Sequence, residues 1–294
     1  MMSSQKKKHV ICFGEVLMDN LPQGRRIGGA PLNVCYHLNK NGLFATIVSQ
    51  VGNDALGGEL IAGIAAHGID TTFVAMTMVL PSSSVEVTID QNGIIDYDIV
   101  HPVAWDALAY SQRAADLTAD AGAFVHGSLV ARDPTSRRTL YRYLEKSTWP
   151  VFDINLRPPY VDSAVTLNLI SKCKTLKVNA DELSIIRGWL VDNELADSDA
   201  MELLLDRFPN IEEILLTRGS QGAVYRDRSQ EISKPAKKII VKDTVGSGDA
   251  FLAGFLARRF QGASAEEALV HAINLSALVA AAHGACPDYP PSLG

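Results

Sequence analysis

The stretch of this sequence whose residues could most clearly carry out chemistry has two glycines in front of an acid. Residues 242–256 read K-D-T-V-G-S-G-D-A-F-L-A-G-F-L, so Gly246 and Gly248 precede Asp249, and apolar residues follow at helical spacing. A glycine turn that opens a helix leaves backbone N–H groups without partners inside the helix, and an anion can bind there. The carboxylate could act on such a ligand. It could equally be a first-turn acid that complements the helix dipole.

A second glycine turn lies near the amino terminus, where residues 28–38 read G-G-A-P-L-N-V-C-Y-H-L. Gly28 and Gly29 precede Pro31, which is typical of the first turn of a helix, and Asn33 falls in that turn. Two adjacent glycines allow a ligand to approach the backbone closely. A plain turn explains them as well.

The remaining polar candidates follow predicted strands. They are Asp19, Asn155, Arg157, Asn179, Glu182, residues 217–222 and residues 243–249. In parallel α/β sheets, ligands bind at the carboxyl ends of the strands, so these positions predict one shared site. Asn179 and Glu182 are three residues apart at a helix start, where oxygen ligands and waters could hold Mg²⁺. Helix capping also explains this pair.

Alternating strands and helices must position these groups. Strands are predicted at 9–16, 44–51, 123–127, 151–154, 176–178, 213–217 and 239–241. Helices are predicted after Gly29 and Asp54, near Asp133, Asp162, Asp181 and Ser198, and at 250–260 and 265–283. The pattern predicts a mainly parallel sheet with helices on both faces. Residues 73–100, with a turn at 91–93, predict a hairpin that joins the arm at 17–27 in a small β element. We find no linker, which predicts one domain over 1–294.

Composition narrows the function classes. The chain has 294 residues and a net charge of -6, which argues against a nucleic-acid partner. No apolar run reaches the roughly 18 residues of a membrane span. The cysteines, Cys12, Cys35, Cys173 and Cys286, are scattered, which predicts free buried thiols and a cytoplasmic protein.

Several common catalytic motifs are missing from the sequence. It contains no G-x-x-x-x-G-K-[ST] loop, no H-E-x-x-H and no G-x-S-x-G, and Phe251 stands where a dinucleotide fingerprint needs its third glycine. The histidines lie far apart, so His126 and His271 are interpreted as structural residues rather than metal ligands.

The segment D-T-V-G-S-G-D-A-F at 243–251 closely resembles the D-T-x-G-A-G-D-x-F signature of the ribokinase-like (PfkB) carbohydrate kinases. The G-G-A-P-L-N-V segment is similar to that family's sugar-site motif. F-G-E-V-L-M-D, K-V-N-A-D-E-L, L-L-T-R-G-S-Q-G-A and Asn274 follow in the family's order, and D-x-N-L-R-P looks most like the fructokinase branch. The resemblance implies a three-layer αβα sandwich with a small β lid formed by about residues 17–30 and 73–100.

The resemblance also implies an activity, the transfer of the γ-phosphate of ATP to a sugar hydroxyl, with fructose as the expected sugar. Asp249 would be the general base, and the N–H groups of Gly246, Ser247 and Gly248 would hold the developing phosphoryl charge. Arg157 would lie near the sugar or the transferred phosphate. The residues expected to face the sugar are Asp19, Gly28, Gly29, Asn33 and Asn155.

The remaining expected roles concern the nucleotide and the metals. The residues expected to line the nucleotide are Asn179, Thr217, Gly219, Gly222 and Asn274. Glu182 and Asn179 would organise the waters of Mg²⁺. The family often binds a monovalent cation, K⁺, at the positions of Asp243, Val245 and Gly284. Members can also dimerise through the lid.

Some features depart from the family pattern. Val245 replaces a frequent Thr, Ser247 replaces a frequent Ala, and the arm at 20–27 is short, which affects the expected sugar range. Two alternatives to a fructokinase stay open. One is a kinase for another sugar, for a sugar acid such as 2-keto-3-deoxygluconate, or for a nucleoside. The other is a non-catalytic binder of sugar or nucleotide, against which the intact Asp249 argues.

Overall fold

A sheet of nine strands forms the centre of the molecule, seen in a computed structural model that describes residues 9–21, 24–89 and 95–290. The strands of the molecule are β1 His9–Phe13, β2 Leu17–Leu21, β3 Gly24–Gly28, β4 Phe44–Gly52, β5 Val74–Thr77, β6 Ser83–Ile89, β7 Ile95–Ile99, β8 Ala123–His126, β9 Pro150–Asp153, β10 Thr175–Asn179, β11 Glu213–Thr217, β12 Ala223–Asp227 and β13 Glu231–Lys234. The helices are α1 Ala30–Lys40, α2 Ala55–Ala66, α3 Gln112–Asp120, α4 Pro134–Leu144, α5 Ser163–Ile170, α6 Ala180–Leu190, α7 Asp197–Arg207, α8 Ser247–Phe260 and α9 Ala265–Ala280.

The order of the strands places the predicted site residues at one edge of the sheet. The order is β13-β12-β11-β10-β9-β8-β1-β4-β5, and all pairs from β11 to β5 are parallel. Among the described strands of this sheet, only β12 and β13, at one end, form antiparallel pairs. The carboxyl ends of β1, β9, β10 and β11 therefore point the same way, as the mainly parallel prediction requires.

Alternation along the strands produces two cores, one on each face of the sheet. Val10 and Cys12 of β1 belong to the cluster that contains α1, α2, α8 and α9, whereas Ile11 and Phe13 belong to the cluster that contains α3 to α7. Successive side chains of a strand point to opposite faces, so one buried strand serves both layers. The three-layer αβα arrangement is confirmed.

Acidic residues start several of the helices, as the sequence indicates. Asp54 and Asp162 accept hydrogen bonds from the backbone N–H groups of Gly57 and Val165, at 2.7 and 3.0 Å. Asp133 accepts from the N–H of Thr135 at 2.7 Å, one residue before α4. These bonds satisfy donors that the helix itself leaves free. The helix starts predicted at these three acids therefore agree closely with the structure.

A second sheet of four strands, in the order β3-β2-β6-β7, is separate from the large one. The pairs β2–β3 and β6–β7 are antiparallel, whereas β2 and β6 run parallel. This sheet combines the arm and the hairpin that the sequence predicts to associate. β5 lies within the predicted segment 73–100 but pairs with β4 in the large sheet. The predicted turn at 91–93 lies outside the described residues.

The predicted strand at 239–241 is wrong. These residues form no strand, and the strand at this edge of the sheet is β13, eight residues earlier. Ile240 is 86% exposed, so its hydrophobic character does not reflect burial in the sheet. Helix α3 is absent from the predicted elements, and α8 begins three residues before its predicted start.

Within the described ranges, no helix is long and apolar enough to cross a membrane.

Candidate active site

Asp249 lies in the first turn of α8 and is 9% exposed. The residue before the helix, Gly246, has a left-handed backbone with φ 74°, and a Cβ there would overlap Ala285. Glycine is therefore required both by conformation and by packing. The N–H of Ser247 donates to the carbonyl oxygen of Thr244 at 3.2 Å, which leaves it less free to bind an anion than the sequence analysis assumes.

The side chain of Asn33 reaches the carboxylate of Asp249 from the opposite end of the chain. Its Nδ2 donates to Oδ2 of Asp249 at 2.8 Å, and both groups are buried. Burial and the charge of Asp153 raise the pKa of Asp249 to about 6, while the hydrogen bond from Asn33 and the charges of Lys177 and Arg157 act in the opposite direction. A buried carboxylate with this pKa is ionised at neutral pH and can still accept a proton.

Gly28 and Gly29 make room for polar groups. A Cβ on Gly28 would overlap the carboxylate of Asp19, and one on Gly29 would overlap the carbonyl oxygen of Glu15. Gly29 also has φ 117°, outside the range that side chains favour. The glycine pair is thus more than a plain turn, because it lets β2 and the loop after β1 pack directly against the start of α1.

Arg157 lies near the carboxylates of both Asp19 and Asp249. Burial raises the pKa of Asp19 to about 6, and the charge of Arg157 opposes that shift. Arg157 acts in the same way on Asp249, so its guanidinium lies near both carboxylates. Asn155 has φ 43°, a left-handed conformation that is uncommon outside glycine and that frequently marks functional sites. Arg157 therefore joins Asp19 and Asp249 in one space, and Asn155 lies two residues before Arg157 in the same loop.

Glu15 is a site residue that the sequence analysis misses. It lies two residues after the end of β1 and is 2% exposed, and its Oε2 has no hydrogen-bond partner in the described structure. Burial raises its pKa to about 7 despite backbone N–H groups and Arg157, while the charge of Asp249 adds to the increase. The signal lies in the F-G-E segment, because burying a charged residue just beyond a buried strand costs free energy unless the charge is paired.

A buried ion pair beneath Gly248 is also absent from the sequence prediction. Nζ of Lys177 donates to Oδ1 of Asp153 at 2.9 Å, and the two residues are cross-strand neighbours in β10 and β9. A Cβ on Gly248 would lie 3.1 Å from Nζ of Lys177. Burial lowers the pKa of Lys177, but the charges of Asp153, Glu182 and Asp249 outweigh it, so the amine is charged. A fixed positive charge therefore lies under the glycine turn.

Asn179 and Glu182 form a capping box at the start of α6. The N–H of Glu182 donates to Oδ1 of Asn179, and the N–H of Asn179 donates to Oε2 of Glu182, both at 2.9 Å. Oε1 of Glu182 accepts a third N–H, from Leu156, at 2.9 Å. The capping explanation that the sequence left open is thus observed. These bonds also fix Glu182 close to Lys177 and Asp153.

A cavity of about 610 Å³ opens beside the glycine turn of α8. Its walls include Thr217, Gly219, Gly222, Ser247 and Gly248. Three of the predicted nucleotide residues therefore share a cavity with the predicted anion cradle. Asn274, predicted to belong with them, lies instead on the wall of a neighbouring groove with Lys237 and Ala277, which also border the cavity.

Asp243, Val245 and Gly284 lie together, as predicted. Oδ1 of Asp243 accepts the N–H of Val245, and Oδ2 accepts the N–H of Gly284, both at 3.0 Å. These contacts are made through N–H groups rather than through the carbonyl oxygens that a cation needs.

The geometry can be compared with known proteins. A model of the pfkB family of carbohydrate kinases matches residues 5–291. The chain belongs to this family. The resemblance inferred from the motifs is confirmed, and a phosphotransferase that acts on a sugar hydroxyl is the activity that the family and its members indicate.

Individual relatives agree with the family assignment. Fructokinase-1 of Oryza sativa subsp. japonica is 28% identical over 96% of this chain and 94% of its own length. A deoxyribokinase of Salmonella typhi is 24% identical over 90% and 84%. The structure of a fructokinase with bound ATP from Xylella fastidiosa superposes with a TM-score of 0.82, at 24% identity, over 95% of this chain and 94% of that one. The relatives support the fructokinase branch.

Proposed function

We propose that this protein is a fructokinase that uses ATP to phosphorylate a primary hydroxyl of the sugar. The observation that carries the proposal is the hydrogen bond between Asn33 and Asp249. It joins the two segments that resemble the family's sugar-site and carboxyl-terminal motifs, so that a sugar held at Gly28 to Asn33 would present a hydroxyl to the carboxylate.

Asp249 would act as the general base. Its pKa of about 6 leaves it ionised at neutral pH, and it lies in the first turn of α8, three residues after Gly246. A base within hydrogen-bond reach of the attacking hydroxyl removes the proton as the bond to phosphorus forms. Asn33 would hold the carboxylate in its reactive orientation.

The glycine turn would stabilise the charge on the transferred phosphoryl group. The N–H groups at the start of α8 carry the positive end of the helix dipole, and Gly248 leaves that backbone uncovered. Lys177 lies beneath it as a buried cation. Donors and charges that are fixed before the reaction require little rearrangement as the negative charge develops.

The metal assignments are part of the proposal. When bound, Mg²⁺ would neutralise charge on the ATP phosphates, and Asn179 and Glu182 would hold its waters. Their carboxylate and amide oxygens already accept N–H groups, and the described residues contain no cluster of three or more His, Cys, Asp and Glu able to hold a metal. That donor set fits a hydrated ion whose remaining ligands are phosphate oxygens.

A monovalent cation would require carbonyl oxygens near Val245 and Gly284, since both oxygens of Asp243 accept N–H groups. The test is a titration of activity with KCl at constant ionic strength, balanced with tetramethylammonium chloride. Activity that does not change with K⁺ removes this part of the proposal.

The remaining proposals concern organisation and location. We infer one kinase domain over 1–294, with the four-stranded sheet as the main part of a lid over the sugar, and a homodimer that pairs through this lid. The four free cysteines, three of them buried, support a cytoplasmic location. Light scattering after size exclusion tests the dimer, and a monomer across micromolar concentrations would contradict it.

The decisive experiment measures ADP release across a panel of ketoses, aldoses, deoxyribose, sugar acids and nucleosides. The highest kcat/KM for fructose supports the proposal. A preference for deoxyribose or a nucleoside would support a kinase with a substrate other than fructose. Deoxyribose is in the panel because one relative is a deoxyribokinase. Absence of turnover, together with sugar or nucleotide binding by calorimetry, would support a binding protein.

A further inference from the structure

Cys286 forms a hydrogen bond with Asn33, the residue whose amide also donates to Asp249. Its Sγ donates to Oδ1 of Asn33 at 3.4 Å, while Nδ2 of the same amide donates to Asp249 at 2.8 Å. The thiol, the amide and the carboxylate therefore form a chain of two hydrogen bonds in which each member orients the next. The cysteine lies in the loop that follows α9, outside the motifs from which the activity is inferred.

The thiol is present in the form that can donate. Burial raises the pKa of Cys286, and the charges of Asp249 and Cys35 add to the increase. A thiol has one hydrogen to give, and a thiolate has none. Oδ1 of Asn33 is thus paired with a donor, and Nδ2 is the end of the amide that faces the base.

The segment around Cys286 is anchored to α1. The imidazole Nε2 of His37 lies 2.8 Å from the carbonyl oxygen of Ala285, and the hydroxyl of Tyr36 donates to the carbonyl oxygen of Pro287 at 2.9 Å. Lys40 forms an ion pair with Asp288 at 2.5 Å. These contacts hold the cysteine against the helix that carries Asn33, so the sulfur is fixed relative to the amide.

We propose that Cys286 is a positioning residue that keeps Nδ2 of Asn33 directed at Asp249. Without the thiol, Oδ1 loses its donor, and the amide can turn to present Oδ1 to the carboxylate. That orientation withdraws a hydrogen bond from the charged base and places a partial negative charge beside it. The inference rests on the proposed role of Asp249 as the base.

Cysteine donates one hydrogen bond through its S–H group, and serine can donate one through its O–H group from a similar position. This allows a matched test. C286A removes the donor, C286S keeps one, and C173A removes a buried thiol that donates to a backbone carbonyl in the other core. The measurement is kcat as a function of pH with saturating ATP and sugar, together with the melting temperature of each variant.

We expect the acidic limb of the C286A profile to move to higher pH, with kcat about threefold lower than the wild type at pH 5.5 and a smaller loss at pH 8. The C286S limb should return to the wild-type position, and C173A should match the wild type throughout. The other charged or titratable groups that act on Asp249 or on the thiol stay unchanged in all variants. They are Glu15, Cys35, Tyr36, Asp153, Arg157, Lys177 and Tyr289.

Methyl methanethiosulfonate gives an independent measurement on the wild-type protein. In the small ionised fraction of Cys286 that an alkaline buffer provides, the thiolate attacks the sulfenyl sulfur of the reagent, the mixed disulfide Cys–S–S–CH₃ forms and methanesulfinate leaves, so the donor is lost without a mutation. Cys286 is half-buried whereas the other three cysteines are buried, which favours this site. We expect activity to fall, to recover with dithiothreitol, and to be unaffected by the reagent in C286S. Continued full activity of the modified protein would overturn the inference even if C286A were unstable.

The outcomes separate the two proposals. If D249N is inactive and the wild type has an acidic limb, but C286A follows the wild-type profile, the role of Cys286 is wrong and the base assignment stands. A C286A loss that is equal at all pH values would also overturn it, because a merely structural effect would not move the limb. If D249N retains turnover, both proposals fail together.

Discussion

The amide of Asn33 donates a hydrogen bond to the carboxylate of Asp249 over 2.8 Å, across 216 residues of chain. The two residues belong to α1 and α8, which pack side by side in one core. Their first turns meet at this hydrogen bond, so the two helix starts lie side by side. A residue from each helix start is thus available to one substrate.

Replacement of the base should separate chemistry from binding. We expect D249N to lower kcat by about 10²- to 10⁴-fold, the contribution typical of general base catalysis. The affinity for a nucleotide, measured by calorimetry, should stay near the wild-type value because the cavity walls are unchanged. A D249N enzyme that keeps more than a tenth of the wild-type kcat, with intact folding by circular dichroism, would contradict the role.

The pH dependence of the reaction should follow the carboxylates of the site. Asp249 must be ionised to accept a proton, so kcat should fall as pH decreases through about 6. Asp19 has a pKa of about 6 as well, and if the sugar requires its charge, log(kcat/KM) should fall with a slope steeper than one. The control is D19N, in which the slope should return to about one. A rate that is constant from pH 5 to 8 would exclude both assignments.

Burial of Glu15 should reduce stability at high pH. Its pKa is raised to about 7 in the folded protein, so its contribution is present below the unfolded value of 4.5 and is lost as pH rises through 7. Between pH 4 and pH 8, the free energy of unfolding of E15Q should improve relative to the wild type by about 3 kcal/mol. Urea unfolding at several pH values measures this difference.

The matched control for Glu15 is E267Q. Glu267 caps α9, and its hydrogen bonds to Ser264 lower its pKa, so the wild type should gain stability relative to this variant as pH rises. Trends of the same sign in both variants would mean that the pH response does not come from these carboxylates.

Two glycines of the nucleotide cavity should respond differently to alanine. Gly222 has φ 99°, and a Cβ there would overlap the carbonyl oxygen of Lys234, whereas Gly219 has φ 52° and open space around it. G219A should cost about 1 kcal/mol from backbone conformation alone. G222A adds the overlap with β13, and we expect a cost of about 3 kcal/mol or more with a higher KM for ATP. Urea unfolding and ATP kinetics distinguish them, and equal effects would argue against this packing.

The sequence predicts the layers of the fold well, because strand and helix periods and helix caps are local properties. Its errors are equally physical. The apolar run at 239–241 looks like a buried strand, yet Ile240 is almost fully exposed beside a cavity. Hydrophobicity alone does not distinguish burial in a sheet from an apolar segment that borders a cavity.

The site is predicted where a motif contains the residue and missed where the partner is distant. Asp249 and Asn33 are found through their motifs, although no local pattern indicates that they touch. Lys177 and Asp153 are missed because their bond depends on the register of β10 against β9. Asn274 is placed in the right region but on the wall of the neighbouring groove, because its position depends on how α9 is rotated.

The two hydrogen bonds of Asp243 have a wider meaning. The carboxylate of Asp243 accepts the N–H of Val245. It also accepts the N–H of Gly284, which lies 41 residues after Asp243 in the chain. The hairpin of helices α8 and α9 contains the glycine turn and Asp249. The segments that precede and follow this hairpin are therefore both bound to the side chain of Asp243. Asp243 thus ties the two ends of this hairpin together, whereas Asp19 and Gly28 lie on β2 and β3 of the other sheet. We therefore expect substitutions in β2 and β3 to leave the closure of this hairpin at Asp243 intact.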